Sequence, residues 1–557
     1  MMLFRSSYPD LDIPTQIPLW DFLFTPSPYF KPINSPSSPP SFINALTNKS
    51  LTFQEVKQYS VYFSTALRTL GLEAGDVISI CTPNSIWYPV ALFGILRAGC
   101  LPALSSPAFG EDEMVHVFRT VGAKYVICYN ENPKIVREAA RKCGTEEKRI
   151  IVLEGKANEM RSVEDLVEEG RQLGDERQVE PWRVPFGKKN SEVCAVFCFS
   201  SGTTGLPKAV LISHQNIIAQ LLQLLPTTSN DHTTILGLLP FYHITGVVKL
   251  LTLPLILPSS VILLTHTPLS IPLLLSTISH YRIAEPQLVP PLIIHLANSP
   301  LNQNYDLSCI KRFASGAAPI SPSVLQRLET RFPGRGFKQG YGMTESAGCI
   351  TTHPLWAHSF KYARKGGTLV ANTFIKIVDE KGRLLGVNEK GEILAKGPQM
   401  VMGYWDNEKA TRDAFDEEGF LRTGDEGSID EEGFITFHDR IKEMIKVKGI
   451  QVAPVELEEL VSGFEGVVDC AVVGVRDEYS GERPFGFVVL KDGIRREGIE
   501  EEIMAFVRER KVRTKWLSGV RVVEMIPKSA SGKILRRVLR DRLEREGQHV
   551  KGRTAKL

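Results

Sequence analysis

Between two apolar runs in FCFSSGTTGLPKAVL stand Ser200, Ser201, Gly202, Thr203, Thr204, Gly205 and Lys208. Glycines let backbone N–H groups approach an anion closely, hydroxyls add donors and a lysine adds charge, so the stretch suits phosphate oxygens, a polyphosphate above all. The same composition also suits a flexible surface turn. It is not a Walker phosphate loop, which needs G-x-x-x-x-G-K-[ST] between a strand and a helix. Gly202 and Gly205 are too close together, Pro207 precedes Lys208, and the AVLIS that follows reads as a strand. The spacing therefore predicts strand, loop, strand, with a helix starting only near His214.

Such a loop needs a scaffold. A chain of 557 residues is too long for one ordinary core, so two or more cooperating units are expected. Lys and Arg total 66 against 63 Asp and Glu, a balance that gives no reason to expect a nucleic-acid partner through bulk charge and leaves any anion site local. The nine cysteines are scattered and form no CxxC pair, which argues against a zinc site or a disulfide framework and for reduced thiols inside a cell. The N-terminal stretch, with Arg5, Asp10 and several prolines, does not read as a secretory signal. The most apolar stretch, residues 250–264, is broken by Pro254 and Pro258 and is too short to span a bilayer as a helix. It is expected to be buried strand and turn, without stable membrane insertion.

Helix-compatible FQEVKQYSVYFSTALRTLG, short apolar VISICT, helix-compatible IWYPVALFGILRAG, then KYVICYN and RIIVLEG alternate as an α/β layer does. Residues 154–190 are highly charged and read as a surface helix and loop. After Asp439 the texture changes: PVELEELVSGF is amphipathic with a proline at its start, DCAVVGV and PFGFVVL are β-like, and GIEEEIMAFVRERKV is again helical. The expected architecture is α/β, a large multi-subdomain N-terminal α/β domain followed by a small α+β domain.

Four further segments come in order: QGYGMTES, GEILAKGPQMVMGYW, GFLRTGDEGSIDEEGFITFHDRIKEMIKVKGIQVAPVE and PKSASGKILRR. With the opening loop they resemble the adenylate-forming superfamily of acyl-CoA synthetases, plant 4-coumarate-CoA ligases, luciferases and nonribosomal adenylation domains, and within it the 4-coumarate-CoA ligase-like branch. The resemblance covers nearly the whole chain. It implies that a carboxylate attacks the α-phosphate of ATP, that pyrophosphate leaves, and that the thiol of coenzyme A displaces AMP from the acyl-adenylate.

The resemblance assigns Ser200, Ser201, Gly202, Thr203, Thr204, Gly205 and Lys208 to the β- and γ-phosphates, although Ser200 and Ala209 stand where Thr and Gly are commoner. Tyr341 is implied to stack on adenine, Thr344 to bond the α-phosphate and Glu345 to ligate Mg2+, with Gln339, Gly340 and Gly342 completing that motif. Asp425 is implied to accept the ribose hydroxyls, with Arg440 behind the same sugar. The implied division is residues 1–440 and 441–557, with Lys442 as hinge, so that a rotating small domain can offer different groups to one centre. Lys533 would bridge the carboxylate and α-phosphate in one orientation; Lys446, Gly449 and Gln451 would face the site in the other and form the coenzyme A tunnel. Lys442 and Lys448 are counted among the cofactor contacts.

On the acid side, LPFYHITGVVK supplies His243 as a gate and Thr245 two residues on, while Ser315, Gly316, Ala317, Ala318 and Pro319 match the small-residue motif lining substrate and adenine. No Asp occurs between Phe241 and Lys249 to balance a buried substrate ammonium, so a non-amino carboxylic acid is expected. Thr245, Gly348 and Cys349 stand where aromatic-acid ligases carry a tyrosine and a Pro-Val pair, which argues against a hydroxycinnamate-specific pocket and for a longer or bulkier acyl group. Loading of a carrier protein and a luciferase-like oxygenase are the competing readings. Ala555, Lys556 and Leu557 are close to the S-K-L peroxisomal address, so a peroxisomal import receptor is an expected partner, with the cytoplasm as the alternative location.

Overall fold

The computed structural model describes residues 3–26, 28–29, 40–131, 133–155, 160–201, 206–257, 259–265, 269–316, 320–448, 450–491, 493–494, 497–529 and 532–545. Gly202, Thr203, Thr204, Gly205, Ala317, Ala318, Pro319, Gly449, Ala555, Lys556 and Leu557 lie outside them.

Short, mainly apolar runs become strands with little exposure on either face. Leu101–Leu104, Val77–Ile80, Tyr125–Cys128 and Ile150–Val152 lie parallel in one seven-stranded sheet, as expected where helices cover both faces. The helices Phe53–Thr69, Tyr88–Arg97, Glu111–Val121 and Val163–Gln172 intervene in sequence. Phe53–Thr69 starts from a capping box in which the Thr52 hydroxyl accepts from the Glu55 amide. The sheet continues through Cys194–Ser201, which turns back antiparallel into Pro207–Ser213 with Ser200 opposite Lys208. The helix His214–Leu224 then begins behind a Ser213 cap. The strand-loop-strand reading of the opening motif thus holds, and the helix starts where the pattern put it.

A second sheet carries Arg312–Ser315, Gly336–Met343, Gly348–Thr352 and Thr368–Leu369, and a third carries Phe4–Arg5, Phe374–Val378, Gly391–Lys396, Leu421–Ile429 and Ile435–Arg440. A fourth pairs Thr234–Gly237, Ser260–Leu263, Pro40–Asn44 and Ser50–Thr52.

Residues 250–264 correct the expectation of strand and turn. A π-helix, Gly246–Thr252, runs into a short α-helix, Leu253–Ile256, and only Ser260–Leu263 is a strand. Pro254 falls in the first helical turn, where its missing N–H costs nothing. The Thr252 hydroxyl donates back to the carbonyls of Val247 (2.9 Å) and Val248 (3.0 Å), feeding the widened ladder of a π-turn. A largely apolar run has no period that would distinguish this from a buried strand.

The C-terminal region has its own sheet, in which Ile445–Val447, Ile450–Val452, Val467–Asp477, Gly481–Leu490 and Val520–Val522 pair. Alternation along Val467–Asp477 sorts side chains to two faces. Cys470 and Val472 pack with Leu457, Val461, Ile503 and Val507 of the helices Pro454–Val461 and Ile499–Arg510. Ala471, Val473 and Val475 pack with Leu539 and Leu543 of the helix Arg536–Arg545. No helix among the described residues is long and apolar enough to cross a membrane.

Candidate active site

The strand Gly336–Met343 organises the site. Over Gly336 to Gln339 it runs parallel to Arg312–Ser315, and from Gly340 on it pairs antiparallel with Gly348–Thr352, with an irregularity at Tyr341 and Gly342. A Cβ on Gly316 would stand 3.2 Å from the Gly340 carbonyl, and one on Gly342 would collide with the Gly348 carbonyl, so the small residues are what let these segments meet. Ser315 lies opposite Gln339. Its buried hydroxyl has no hydrogen-bond partner among the described residues, a donor left for something else. The Gln339 amide is already committed to the Ala363 carbonyl.

Tyr341 donates its hydroxyl to Asp425 at 2.9 Å, and Arg440, directly across the strand pair from Asp425, approaches the other carboxylate oxygen at 3.4 Å. Asp425 is only 3% exposed. Burial pushes its carboxyl up, with Arg440 and the Tyr341 hydrogen bond pulling the other way. Burial, reinforced by the Asp425 charge, holds the Tyr341 phenol far above its ordinary value. The Tyr341 and Phe437 rings sit 6.1 Å apart, tilted by 32°. Three expected nucleotide residues are therefore brought together.

A second cluster forms at the base of the phosphate loop. Glu345, buried in the short turn Thr344–Ser346, accepts from the Ser200 hydroxyl and from the Tyr404 hydroxyl, each at 2.9 Å on the same oxygen. The Lys208 ammonium lies 5.1 Å from the centre of the Tyr404 ring. Tyr404 is carried by Gly403–Tyr404, which pairs with Pro207–Ser213 at the sheet edge. Burial and the Glu345 charge raise its phenol. Sequence reading quoted the GYW of its motif but gave Tyr404 no role. The signal was there: a tyrosine at the end of a segment ordered with the loop.

Lys533, on the small domain, faces Asp425 and Arg440 of the first cluster. Its loop is closed by the Ser529 amide donating to the Lys533 carbonyl (2.8 Å) and the Lys533 amide donating to the Ser529 hydroxyl (3.1 Å). Gly532 has φ +84°, and a Cβ there would stand 2.8 Å from Val289, so glycine permits both the turn and its docking on the large domain. Burial first, then Arg440, pushes the Lys533 ammonium down, while Glu443 and Asp425 raise it. Lys446, Lys448 and Gln451 are not brought to this cluster. All three are exposed on the hairpin of Ile445–Val447 and Ile450–Val452, where Gln451 donates to Glu380 (2.9 Å) and Lys448 stacks 4.0 Å from the Tyr479 ring centre. Lys442 is also exposed.

On the other side, His243 stacks obliquely on Tyr242 at 4.6 Å, and burial lowers its imidazole to about 4. Thr245 precedes the π-helix Gly246–Thr252. The Cys349 amide donates to the Gln220 side-chain carbonyl, and Gln220 donates on to Gln223 at 3.1 Å, which continues to Gln399 at 3.0 Å. This buried amide chain was not anticipated. Its only sequence signal is Gln220 and Gln223 within the apolar part of the helix His214–Leu224.

The donors at Glu345 match the needs of Mg2+, which takes one or two carboxylates and completes its shell with waters and phosphate oxygens. No group of three or more His, Cys, Asp or Glu side chains among the described residues forms a metal cage.

The sequence profile of the family described as AMP-binding enzyme matches residues 36–405, and that of the AMP-binding enzyme C-terminal domain matches residues 456–533. The 4-coumarate-CoA ligase 1 of Petroselinum crispum is 33% identical over 553 residues, 97% of each chain. The 4-coumarate-CoA ligase 3 of Arabidopsis thaliana is 34% identical over 551 residues, 97% of this chain and 94% of its own. Among solved structures, an anthranilate-CoA ligase in complex with anthranoyl-AMP superposes with a TM-score of 0.84 at 23% identity, covering 96% of this chain and 99% of that one.

Proposed function

The chain belongs to the AMP-binding enzyme family, and from that premise we propose that it is an AMP-forming acid-CoA ligase acting on a non-amino carboxylic acid bulkier or longer than a hydroxycinnamate. ATP and the acid give an acyl-adenylate and pyrophosphate; the thiol of coenzyme A then takes the acyl group and releases AMP. The observation that carries the assignment of roles is the convergence of Lys533 from the small domain with Asp425, Arg440 and Tyr341 of the large one.

In this reading Asp425 turns from the Tyr341 hydroxyl toward the ribose hydroxyls, with Arg440 holding its second oxygen, and the Tyr341 ring backs the adenine. Lys208, Ser200 and the loop between them hold the β- and γ-phosphates. Thr344 bonds the α-phosphate. Glu345 would hold Mg2+ together with the phosphate oxygens, and the ion would supply charge neutralisation there. Lys533 lies between the carboxylate and the α-phosphate, offsetting two anions that must come into contact. Once pyrophosphate has left, rotation near Lys442 carries Lys533 away and turns Lys446 and Gln451 toward the adenylate for thioester formation.

The acid class is supported by the neutral wall around His243. No Asp lies between Phe241 and Lys249, and Thr245, Gly348 and Cys349 are smaller than the tyrosine and Pro-Val pair of the aromatic-acid ligases. A panel of cinnamates, arylacetates and medium- and long-chain fatty acids, assayed for AMP and thioester with and without coenzyme A, tests the reading. Thioester from bulky or long acids is expected. Adenylate that persists at saturating coenzyme A overturns it in favour of carrier-protein loading.

A further inference from the structure

We propose that Asp439 is a positioning residue that sets how long the small domain stays in the orientation presenting Lys533, because its carboxylate bridges the backbone on the two sides of the domain junction. The proposal rests on the rotating-domain reading above. Asp439 belongs to the strand Ile435–Arg440 of the large domain, opposite Glu426, and is 1% exposed. One oxygen accepts from the Arg440 amide of its own strand at 2.7 Å. The other accepts from the Val455 amide at 3.0 Å. Val455 is in the first turn of Pro454–Val461, a helix of the small domain, so the carboxylate also sits at the positive end of that helix. Rotation carries Val455 off with its helix while Asp439 stays with its sheet. The bridge therefore exists in one orientation only.

The surroundings oppose the bridge with a charge. Arg536, on the segment that follows the Lys533 loop, faces Asp439, but its guanidinium is already taken by Glu443 (3.1 Å) and Glu458 (2.8 and 2.9 Å). Three carboxylates thus share one buried arginine, and an enclosed charge without a full partner is costly. Burial first, and Glu443, raise the Asp439 carboxyl to about 6; the Val455 amide, Arg536 and the Arg440 amide restrain the rise. The sign follows. A carboxyl raised in the docked orientation and ordinary when exposed favours docking fully at pH below the ordinary aspartate value. That contribution fades as pH rises through about 6. At neutral pH the hydrogen bond holds the domain and the enclosed charge loads it for release.

The two effects separate by substitution. Asp439→Asn keeps an acceptor for Val455 and removes the charge, so docking strengthens. Asp439→Ala removes both and leaves the Val455 amide unpaired. Val455→Pro removes only the donor, in a first helical turn where proline is tolerated, as Pro290 and Pro291 begin another helix of this chain. Single-turnover assays on the full chain would follow acid-dependent pyrophosphate release and, separately, thioester formation from presynthesised adenylate. Asp439→Asn should leave the first step intact, slow the second about fivefold because the enclosed charge that loads the docked orientation for release is gone, and flatten its dependence on pH between about 5 and 7. Asp439→Ala and Val455→Pro should do the reverse, slowing the first step and sparing the second. The proposal is overturned if Asn and Ala change the same step in the same direction, or if both steps fall equally. Lys533→Ala and Lys446→Ala serve as controls: if these fail to split the half-reactions, the rotation reading falls; if they split them and the Asp439 variants do not, only the role of Asp439 falls.

Discussion

At Tyr341, Asp425 and Arg440, and again at Glu345, Ser200 and Tyr404, polar atoms are fixed by named partners within 2.9 to 3.4 Å. At Thr245, Gly348 and Cys349 the wall is instead shaped by size, by a π-turn and by a glutamine behind the backbone. The proposed nucleotide side is specified by hydrogen bonds between polar side chains, and misplacing any of them leaves a buried polar group unpaired. The acyl side is specified by volume, which tolerates many similar answers. One half of the cleft can therefore stay constant while the other changes its acid.

The hardest break in that contrast is Lys533→Ala. It should slow adenylate formation by about a hundredfold or more, the usual cost of removing a charge that stabilises a transition state, and by the same factor for every acid. Thioester formation from presynthesised adenylate should change little, and Lys446→Ala should show the opposite split. Single-turnover measurements are required, because steady-state rates report only the slower step. Equal losses in both steps for both variants would falsify the assignment of the two lysines.

A smaller effect is expected at the sugar. Asp425→Asn removes the charge facing Arg440 and weakens an acceptor for two hydroxyls, so the ATP KM should rise about tenfold, the scale of a charge-assisted hydrogen bond. The order of preference among acids should be untouched. If that order changes, the two sides of the cleft are coupled and the contrast fails. His243 gives a pH test of the acyl side. With its imidazole held near 4 by burial, the ring is neutral at working pH and contributes no step to adenylation between about pH 5 and 8. A step in that window that vanishes in His243→Gln would show that the ring titrates in the bound state.

The same contrast explains what the sequence made legible. The residues proposed to meet ATP come from segments whose glycines, hydroxyls and single charges have few other uses in that order, so the hairpin pairing Ser200 with Lys208 and the helix start at His214 could be read directly. The α/β class followed from alternation of short apolar runs with amphipathic ones. The π-helix Gly246–Thr252 could not be read, because a largely apolar segment buried except at Lys249 carries no clear period. Gln220 was equally hidden: its partner is a backbone amide far along the chain, and backbone partners leave no mark on residue type. Tyr404 falls between the two, present in a recognised motif but defined only by Glu345 opposite it.

The finest test is at Thr245, the residue that leads into the π-helix and is half-buried beside His243. Restoring bulk with Thr245→Tyr adds a ring to a wall that Gly246 already holds tightly, since a Cβ at Gly246 would collide with the Pro240 carbonyl. The backbone there cannot retreat, so the new ring must project into the cleft or displace side chains. In the first case long or bulky acids lose about fivefold in kcat/KM, roughly 1 kcal/mol, while shorter or flatter acids hold or gain. The ATP KM should not move, because the nucleotide contacts are carried by other strands. An unchanged ranking across the acid panel, with the variant folded and its ATP KM intact, would remove Thr245 from the acyl wall. The specificity signal would then have to be sought at Gly348 and Cys349.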